Sequence, residues 1–409
     1  MNAHTVQVAD PGHSALAGAT PLSSTEDISA RARRVAAVAA EFAHAVDRDS
    51  RFPAEAIAAA KAERLMSVLA PRELGGEDAS HREVVDACFI LGQACASTAL
   101  IYAMHQVKVA CILRHGRASD WHQGFLARLG VEQLLLASST TEGKAGGDVR
   151  SSEAPIIHEA GRIRLSRDAS VISYGEAADA LVTTARRSPD AAPSDQVLVV
   201  LQKSDYSLAR TRDWDTLGMR GTCSAGFQLE AEADPAQILP EPYERIHRET
   251  MVPSAHLFWS AAWAGIAAGA VERARRHVAK SAREMGGKPP PATPHLIRSV
   301  TALRSLRALI AAMTARFEAI GHDHAALSTL EFQNAVSLLK VDASELAVEA
   351  VTWALRACGL SGYRNDGEAS LGRHLRDVLS APTMISNDRI LANFATACLV
   401  SPIPQSIYD

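Results

Sequence analysis

The chain has 409 residues, of which 47% are hydrophobic and 22% charged, with a formal net charge of −4 at pH 7. This composition is typical of a globular protein of two or three domains and excludes an intrinsically disordered chain. The nearly balanced charge gives no reason to expect nucleic acid or an anionic membrane surface as a partner. No apolar run approaches the ~20 residues that span a bilayer.

The first 25 residues are small and polar and lack the basic start and apolar block of a signal peptide, so we expect a disordered tail over 1–25. The six cysteines form no Cys-x-x-Cys pair, and the fifteen histidines show no zinc-ligand spacing. We therefore expect no metal site and buried free thiols in a reducing cytosol, which predicts a cytoplasmic location.

Residues 26–129 are alanine-rich, and apolar residues recur there at helical spacing, as in 30–46 and 83–113. Ser80, with the acid Glu83 in the following turn, is typical of a helix start, and Asp120 could begin another helix. This segment is predicted to form a helical N-terminal domain.

Residues 130–240 change to short β-rich runs separated by glycine, proline and charged turns, and helices return from residue 241 to 409. This order, with a block of strands between two blocks of helices, argues against a doubly wound sheet, in which strands and helices alternate. Four prolines and two glycines in 285–294 predict a loop between two long helices. The predicted strands are 134–138, 171–173, 180–185, 196–202 and 226–229, and the later predicted helices are 251–283, 296–320, 329–359 and 373–400.

A glycine-rich turn follows the first predicted strand. The strand runs into Thr140, Thr141 and Glu142, and then into Gly146 and Gly147. Glycine has no Cβ, so backbone N–H groups in such a turn can approach an anionic or heteroaromatic ligand closely. A surface hairpin is the alternative interpretation.

Three motifs in this order resemble the acyl-CoA dehydrogenase family of flavoproteins. They are Thr141-Glu142 with Gly146-Gly147-Asp148, then Ile172-Ser173-Tyr174-Gly175 with Ala178-Asp179, and then Leu217-Gly218-Met219-Arg220. The resemblance continues at 357–363 and 375–377 and covers nearly the whole chain after the tail. It implies an α+β multidomain fold, with a helical N-terminal domain, a central β-barrel or β-sandwich domain and a C-terminal four-helix bundle. Such bundles usually associate, which implies a homodimer or homotetramer.

The resemblance also implies FAD, or FMN, bound between the β-domain and the C-terminal helices. Thr141 would hydrogen-bond the pyrimidine side of the flavin, and Ser173 would face N5, an atom that gains or loses a hydride. Arg283 would reach a cofactor pyrophosphate across a subunit interface, since a guanidinium suits that anion. Ser173 as a plain strand hydroxyl and Arg283 as a helix C-terminal cation are the alternatives. The candidate cofactor ligands are Thr141, Gly146, Gly147, Ser173, Arg283 and Arg356.

The family's catalytic glutamate is absent from both of its usual places. Ile385 stands at the first, beyond the Arg376-Asp377 pair, and a position near Ala255 corresponds to the second. Neither side chain can abstract a proton. Other departures weaken the case for a free acyl-CoA substrate and imply more room above the flavin: His256, Val171, Gly147 and Gly286 replace an arginine, a tryptophan, a serine and a phenylalanine.

Four other groups are candidates for the base: Asp388, His105, His256 and Glu249. Asp388 follows the missing glutamate closely, although a helix N-terminal acid is the alternative. His105 lies on a helix that in this family passes near the substrate pocket, although a lone histidine there is more often a satisfied core residue.

Two reaction classes follow. The first is a flavin oxidoreductase of the acyl-CoA dehydrogenase type, which oxidises a CoA-linked, carrier-protein-linked or related small substrate with a relocated base and passes electrons to a transfer partner. The second is a two-component monooxygenase that hydroxylates carbon or nitrogen with O₂ and reduced flavin from a reductase. The missing base favours the second, whereas the family resemblance supports the first as the label. An inactive flavin-binding homologue is a third hypothesis.

Overall fold

The computed structural model describes residues 26–142, 149–400 and 405–406, so the predicted tail at 1–25 lies outside the described residues. The chain folds into a helical N-terminal part, a central β part and a helical C-terminal part, which confirms the predicted fold class. The domain boundaries at 129/130 and 240/241 stay predictions.

Five helices form the N-terminal part. The helical stretch predicted over 83–113 is divided, because Cys95 adopts an extended conformation between two helices. The predicted helix start at Ser80 is confirmed, since Ser80 and Glu83 form a reciprocal capping box. The helices are α1 (Ile28–Arg48), α2 (Ala54–Ala62), α3 (His81–Ala94), α4 (Ala96–His115) and α5 (Asp120–Glu132).

Helix α4 is the core helix of this part. It is the one helix in the described ranges that is long and apolar enough to cross a membrane, and 89% of its apolar window is buried inside the fold. A buried core helix meets the same criteria of length and composition as a membrane span.

The β part contains two sheets. One has the order β1-β4-β5, with β1 parallel to β4, and the other has the order β2-β3-β7-β6, with antiparallel pairing. The strand predicted at 196–202 is confirmed, whereas the one predicted at 171–173 begins nine residues earlier. The strands are β1 (Leu136–Ser139), β2 (Ile157–Glu159), β3 (Arg162–Ile172), β4 (Ala180–Arg186), β5 (Gln196–Gln202), β6 (Tyr206–Arg212) and β7 (Ala225–Ala233).

Three long helices dominate the C-terminal part, and shorter ones pack against them. The single helix predicted over 373–400 is wrong: three helices occupy it, with Ile385 in the left-handed region at φ 53° between the last two. A π-helical turn, His247–Met251, precedes the first long helix. The helices are α6 (Tyr243–Ile246), α7 (Val252–Glu284), α8 (Thr293–Ile320), α9 (His324–Leu327), α10 (Leu330–Cys358), α11 (Leu360–Tyr363), α12 (Gly372–Val378), α13 (Ser380–Thr383) and α14 (Asn387–Val400).

The N- and C-terminal parts touch backbone to backbone where α3 crosses α7. A Cβ on Gly92 would lie 2.4 Å from the carbonyl oxygen of Ala262, and one on Gly265 would lie 2.4 Å from that of Phe89. Only glycine allows this approach. The crossing fixes α7 against the N-terminal helices, and α4 packs on both α7 and β1.

Candidate functional site

The segment after β1 is fastened by Glu142. This carboxylate is buried, accepts hydrogen bonds from the Ser152 hydroxyl at 2.6 Å and the Glu153 amide at 2.8 Å, and pairs with buried Arg167 at 3.1 Å. Glu142 therefore joins the described residues on either side of 143–148, and its carboxylate is committed to protein partners rather than to a ligand. The predicted ligands Gly146 and Gly147 lie outside the described residues.

Thr141 and Ser173 lie at neighbouring strand ends. Glu142 forms an antiparallel bridge with Ala169 on β3, which brings the residues just before it close to the end of β3. Val171 is exposed and Ser173 half-buried, and residues two apart along an extended chain share a face. Thr141 is also half-buried, so both of these predicted cofactor ligands keep part of their surface accessible.

Ser173 belongs to a cluster of three hydroxyls, which we call the hydroxyl cluster: Ser173, Thr222 and Ser224. Thr222 donates to the carbonyl oxygen of Met219 at 2.9 Å, so its oxygen accepts from Ser224 at 2.7 Å. Ser224 has one hydrogen, so it in turn accepts from Ser173 at 2.8 Å. Ser173 therefore presents acceptor lone pairs, not a donor, to a ligand on its open side.

The Leu-Gly-Met-Arg and Arg-Asp motifs meet in space. A Cβ on Gly218 would lie 2.1 Å from the carbonyl oxygen of Arg376, so the loop and α12 are in backbone contact. The Met219 amide donates to Asp377 at 2.7 Å, and burial raises the pKa of Asp377 to about 6. Arg376 binds Asp47 at the end of α1 at 2.5 Å. These motif residues join the three parts of the fold next to the hydroxyl cluster.

The segment that carries Ile385 is held by a lysine that sequence reasoning missed. Lys340 on α10 is fully buried, and its Nζ donates to the carbonyl oxygens of Ala381 and Ile385 and to Oδ1 of Asn387, at 2.9, 2.7 and 2.7 Å. Burial lowers the pKa of Lys340 to about 8. A lysine inside the apolar run Leu339-Lys340-Val341 was the signal available in the sequence.

Asp388, predicted as a base, is exposed in the first turn of α14. Ala255, at the other glutamate position, is buried on α7. An acid in a first helical turn is stabilised by the helix dipole, so this position explains Asp388 without catalysis. Asp388 as the base stays a proposal without support from the geometry.

His105 uses both ring nitrogens inside the protein. The Leu136 amide donates to its Nδ1 at 3.1 Å, so Nε2 carries the proton and donates to the Met66 carbonyl at 2.7 Å. The ring is fully buried, and burial lowers the pKa of His105 to about 4. We assign His105 the structural role of fastening α4 to β1.

His256 and Glu249 lie at the start of α7 and in the π-helical turn. His256 donates from Nδ1 to the Val336 carbonyl at 3.0 Å, and burial lowers its pKa to about 4, so the ring is neutral and Nε2 is an acceptor. Glu249 is fully buried and paired with Arg114 at 3.1 Å, Arg245 at 2.9 Å and His324. Its carboxylate is committed to these cations.

The two predicted cofactor arginines are exposed at the C-terminal ends of α7 and α10. Arg283 has no ion-pair partner in the described ranges, and Arg356 stacks on the Trp353 ring at 4.4 Å, with Arg298 on the same ring at 4.5 Å. Arg283 is 28 residues from Ala255 on one helix, which is about 40 Å at the helical rise. Arg283 therefore lies at the opposite end of α7 from Ala255.

In the described ranges, no group of three His, Cys, Asp or Glu side chains is arranged so that it could hold a metal ion.

Comparison with known proteins gives matches over most of the chain. Residues 23–128 match the family model described as acyl-CoA dehydrogenase, N-terminal domain, and residues 240–386 match acyl-CoA dehydrogenase, C-terminal domain. A cyclohex-1-ene-1-carbonyl-CoA dehydrogenase of Geobacter metallireducens is 26% identical over 322 residues, covering 76% of this chain and 81% of that protein.

Two solved structures share the fold closely. FMN-bound TdsC from Paenibacillus sp. A11-2, a dibenzothiophene monooxygenase, superposes with a TM-score of 0.81 at 19% identity and covers 94% of this chain and 100% of its own. The methanesulfinate monooxygenase MsuC from Pseudomonas fluorescens superposes with a TM-score of 0.79 at 18% identity, covering 92% and 98%.

Proposed function

The chain belongs to the acyl-CoA dehydrogenase family, and from this premise and the site geometry we propose that it is a flavin-dependent monooxygenase of that family. It is a flavin-dependent oxidoreductase, as its relatives are. The observation that carries the monooxygenase proposal is that neither usual glutamate position holds a base and that two of the four other candidates are committed to protein partners. Ile385 and Ala255 occupy the glutamate positions, and His105 and Glu249 are committed to protein partners.

The hydroxyl cluster supports this proposal. Reduced flavin carries a hydrogen on N5 and oxidised flavin does not, so the acceptor face of Ser173 matches the reduced form. A two-component monooxygenase binds reduced flavin made elsewhere, and then reacts it with O₂ to hydroxylate carbon or nitrogen. The two structural neighbours described above are named monooxygenases, which agrees with the proposal.

A dehydrogenase of the acyl-CoA type is the second candidate, and the similarity to the dehydrogenase of Geobacter metallireducens favours it. It would oxidise a substrate linked to CoA or a carrier protein, with Asp388 or His256 as the relocated base. The roomier position at Val171 and the replacement of arginine by His256 favour a substrate other than a free acyl-CoA.

The candidate ligand residues suit a flavin cofactor. FAD is our proposal, with FMN as the alternative: Thr141 and Ser173 would hold the flavin ring, and Arg283 and Arg356 of a neighbouring subunit would hold the ADP half. The exposed positions of both arginines agree with this arrangement. We propose a cytoplasmic homodimer or homotetramer that takes electrons from a flavin reductase, or passes them to an electron-transfer protein if the second candidate is right.

Flavin retention separates the two candidates without knowledge of the substrate. We expect the purified protein to be colourless after gel filtration and to bind photoreduced flavin at least about tenfold more tightly than oxidised flavin, a difference of ~1.4 kcal/mol. Indole, which TdsC binds, serves as an oxygenation probe with a reductase, NADH and ¹⁸O₂. A yellow protein that retains oxidised FAD and is bleached anaerobically by butyryl-CoA would overturn the proposal in favour of the dehydrogenase.

A further inference from the structure

Two lysines are buried in the helical parts, and the protein surrounds them differently. Lys340 has three oxygen acceptors, as described above. Lys108, in the middle of α4, is 4% exposed, and the partner of its Nζ is the thioether sulfur of Met251 at 3.6 Å. Over the described ranges, no oxygen lies within hydrogen-bonding distance of that Nζ.

A thioether is a weak acceptor, and here it is shared. Met251 also accepts from the Tyr243 hydroxyl at 3.5 Å. A buried ammonium without oxygen partners is unfavourable by several kcal/mol, on the order estimated for isolated buried ions. Burial lowers the pKa of Lys108 to about 8, so its amine is largely protonated at pH 7. Lys108 is thus a buried cation with no anionic partner among the described residues.

The face of α4 that carries Lys108 also carries a partly exposed residue. Over residues 96–112 of α4, Met104 is the one residue that is not buried. Met104 lies one turn before Lys108 on the same face, and helical side chains lean towards the N-terminus. The Lys108 side chain therefore extends towards Met104, the partly exposed position on this face of α4.

This part of α4 is near the proposed flavin site. Met251 precedes Ala255 by one helical turn, so Lys108 is about one turn from the second glutamate position. On the other side, the Tyr174 hydroxyl contacts the carbonyl oxygen of Ile101 on α4, and Tyr174 follows Ser173. Ile101 and Lys108 are seven residues apart, about 10 Å along the helix.

We propose that Lys108 binds a carboxylate of the substrate, at the end remote from the atom that reacts. The proposal rests on the proposed function, since it places the substrate between α4, the start of α7 and the flavin site. A carboxylate oxygen would give the ammonium a short charge-assisted hydrogen bond and neutralise the buried charge. Because Lys108 and Ile101 are only about 10 Å apart along α4, we expect a compact carboxylate, such as an aromatic or alicyclic acid, rather than a long acyl chain.

The test compares acids with their amides, which have the same shape without the charge. Acetate, cyclohexanecarboxylate and benzoate, each paired with its amide, are titrated into the flavin-loaded protein and followed by the flavin difference spectrum. We expect at least one acid to bind tenfold or more tightly than its amide. Lys108→Met should abolish that preference, whereas Lys203→Met, at an exposed lysine beyond β5, should keep it.

Equal affinity for acid and amide in the wild type, or an acid preference that survives Lys108→Met, overturns the proposal. Lys108→Met replaces a buried ammonium by an apolar side chain of similar length, so we expect its Tm to equal or exceed that of the wild type. Loss of the acid preference in this variant therefore cannot be attributed to unfolding. The Tm of the flavin-free protein separates the two proposals. If flavin does not bind but a carboxylate raises the Tm of the wild type alone, the carboxylate site stands and the proposed function falls. If flavin binds and Lys108→Met leaves the affinity for acids unchanged, the proposed function stands and the carboxylate site falls.

Discussion

The amide of Met219 donates a 2.7 Å hydrogen bond to the carboxylate of Asp377, a residue 158 positions later in the chain. Burial raises the pKa of Asp377 to about 6, so the folded state binds a proton more tightly than the unfolded state. The contribution of this carboxyl to stability is therefore full at pH below about 4 and declines as the pH rises through 6.

Asp377→Asn should remove that pH dependence. The amide oxygen can still accept from Met219, and no charge is buried, so we expect the variant to equal or exceed the wild type by about 1–3 kcal/mol at pH 7.5 and to lose the advantage near pH 4. Urea unfolding across this pH range measures it. A variant destabilised at pH 7.5 but not near pH 4 would show that the charge itself is required.

Ser224→Ala should change the redox preference of the bound flavin. Without Ser224, the hydroxyl of Ser173 is free to donate and can then serve oxidised flavin. A hydrogen bond is worth about 1 kcal/mol, which is about 20 mV for a two-electron couple, so the midpoint potential should fall by about that amount. Spectroelectrochemistry measures it, with Ser166→Ala on the outer face of β3 as the control. An unchanged potential in Ser224→Ala would contradict the role given to the hydroxyl cluster.

Arg283→Ala should separate FAD from FMN. The guanidinium is assigned to the pyrophosphate, which FMN lacks, so FAD affinity should fall about tenfold or more while FMN affinity stays constant. Arg276→Ala, also exposed on α7 and paired with Glu272, is the matched control. Fluorescence titration of each flavin gives both constants. Equal loss of both flavins would indicate an effect on folding or assembly instead.

Lys340→Met should loosen the segment that bears Ile385. The substitution leaves three buried acceptors without their shared donor, so we expect about 2–4 kcal/mol of destabilisation and faster proteolytic cleavage within 379–387. Lys108→Met is the control, because that lysine has no oxygen partner to strand. If both variants behave alike in proteolysis, the oxygens around Lys340 are not what holds the segment.

His105→Ala should reduce stability without changing the flavin spectrum. The variant loses two buried hydrogen bonds and leaves a cavity between α4 and β1, which predicts a loss of about 2–4 kcal/mol. Because burial depresses the pKa of His105 from 6.5 to about 4, the stabilisation is present above pH 6.5 and is lost as the pH falls towards 4. Urea unfolding at pH 7.5 and 5 measures both effects. A large loss of turnover at unchanged stability would restore His105 as a catalytic residue.

The helical parts were predictable from sequence because their apolar spacing is regular and long. The strands were harder to predict. Strand β3 alternates exposed and buried residues from Arg162 to Ala169, but one of its buried positions is Arg167, and the predicted strand at 171–173 covers only its last two residues. Strand β6 is largely exposed, and its apolar face consists only of Tyr206 and Leu208, which is too short to give a clear pattern.

The site was predictable where motifs carry backbone constraints, as at Gly218, whose contact with Arg376 excludes any side chain. The directions of the hydrogen bonds could not be predicted from the sequence. That Ser173 presents an acceptor depends on Thr222 and Ser224, and the spacing of three hydroxyls does not reveal which one donates. Nor could the sequence distinguish Lys108 from Lys340, since both lie within apolar helical runs and differ only in what surrounds them.

The crossing of α3 and α7 at Gly92 and Gly265 determines how the chain can fold. With backbones in contact, the helices before the β part and those after it are two halves of one interior, so the chain must be synthesised past α7 before α3 finds its surroundings. A fragment ending near residue 129 would leave α3 and α4 with bare apolar faces and would aggregate. The segments recognised by sequence are therefore not independent folding units, and heat should melt the whole molecule in one transition.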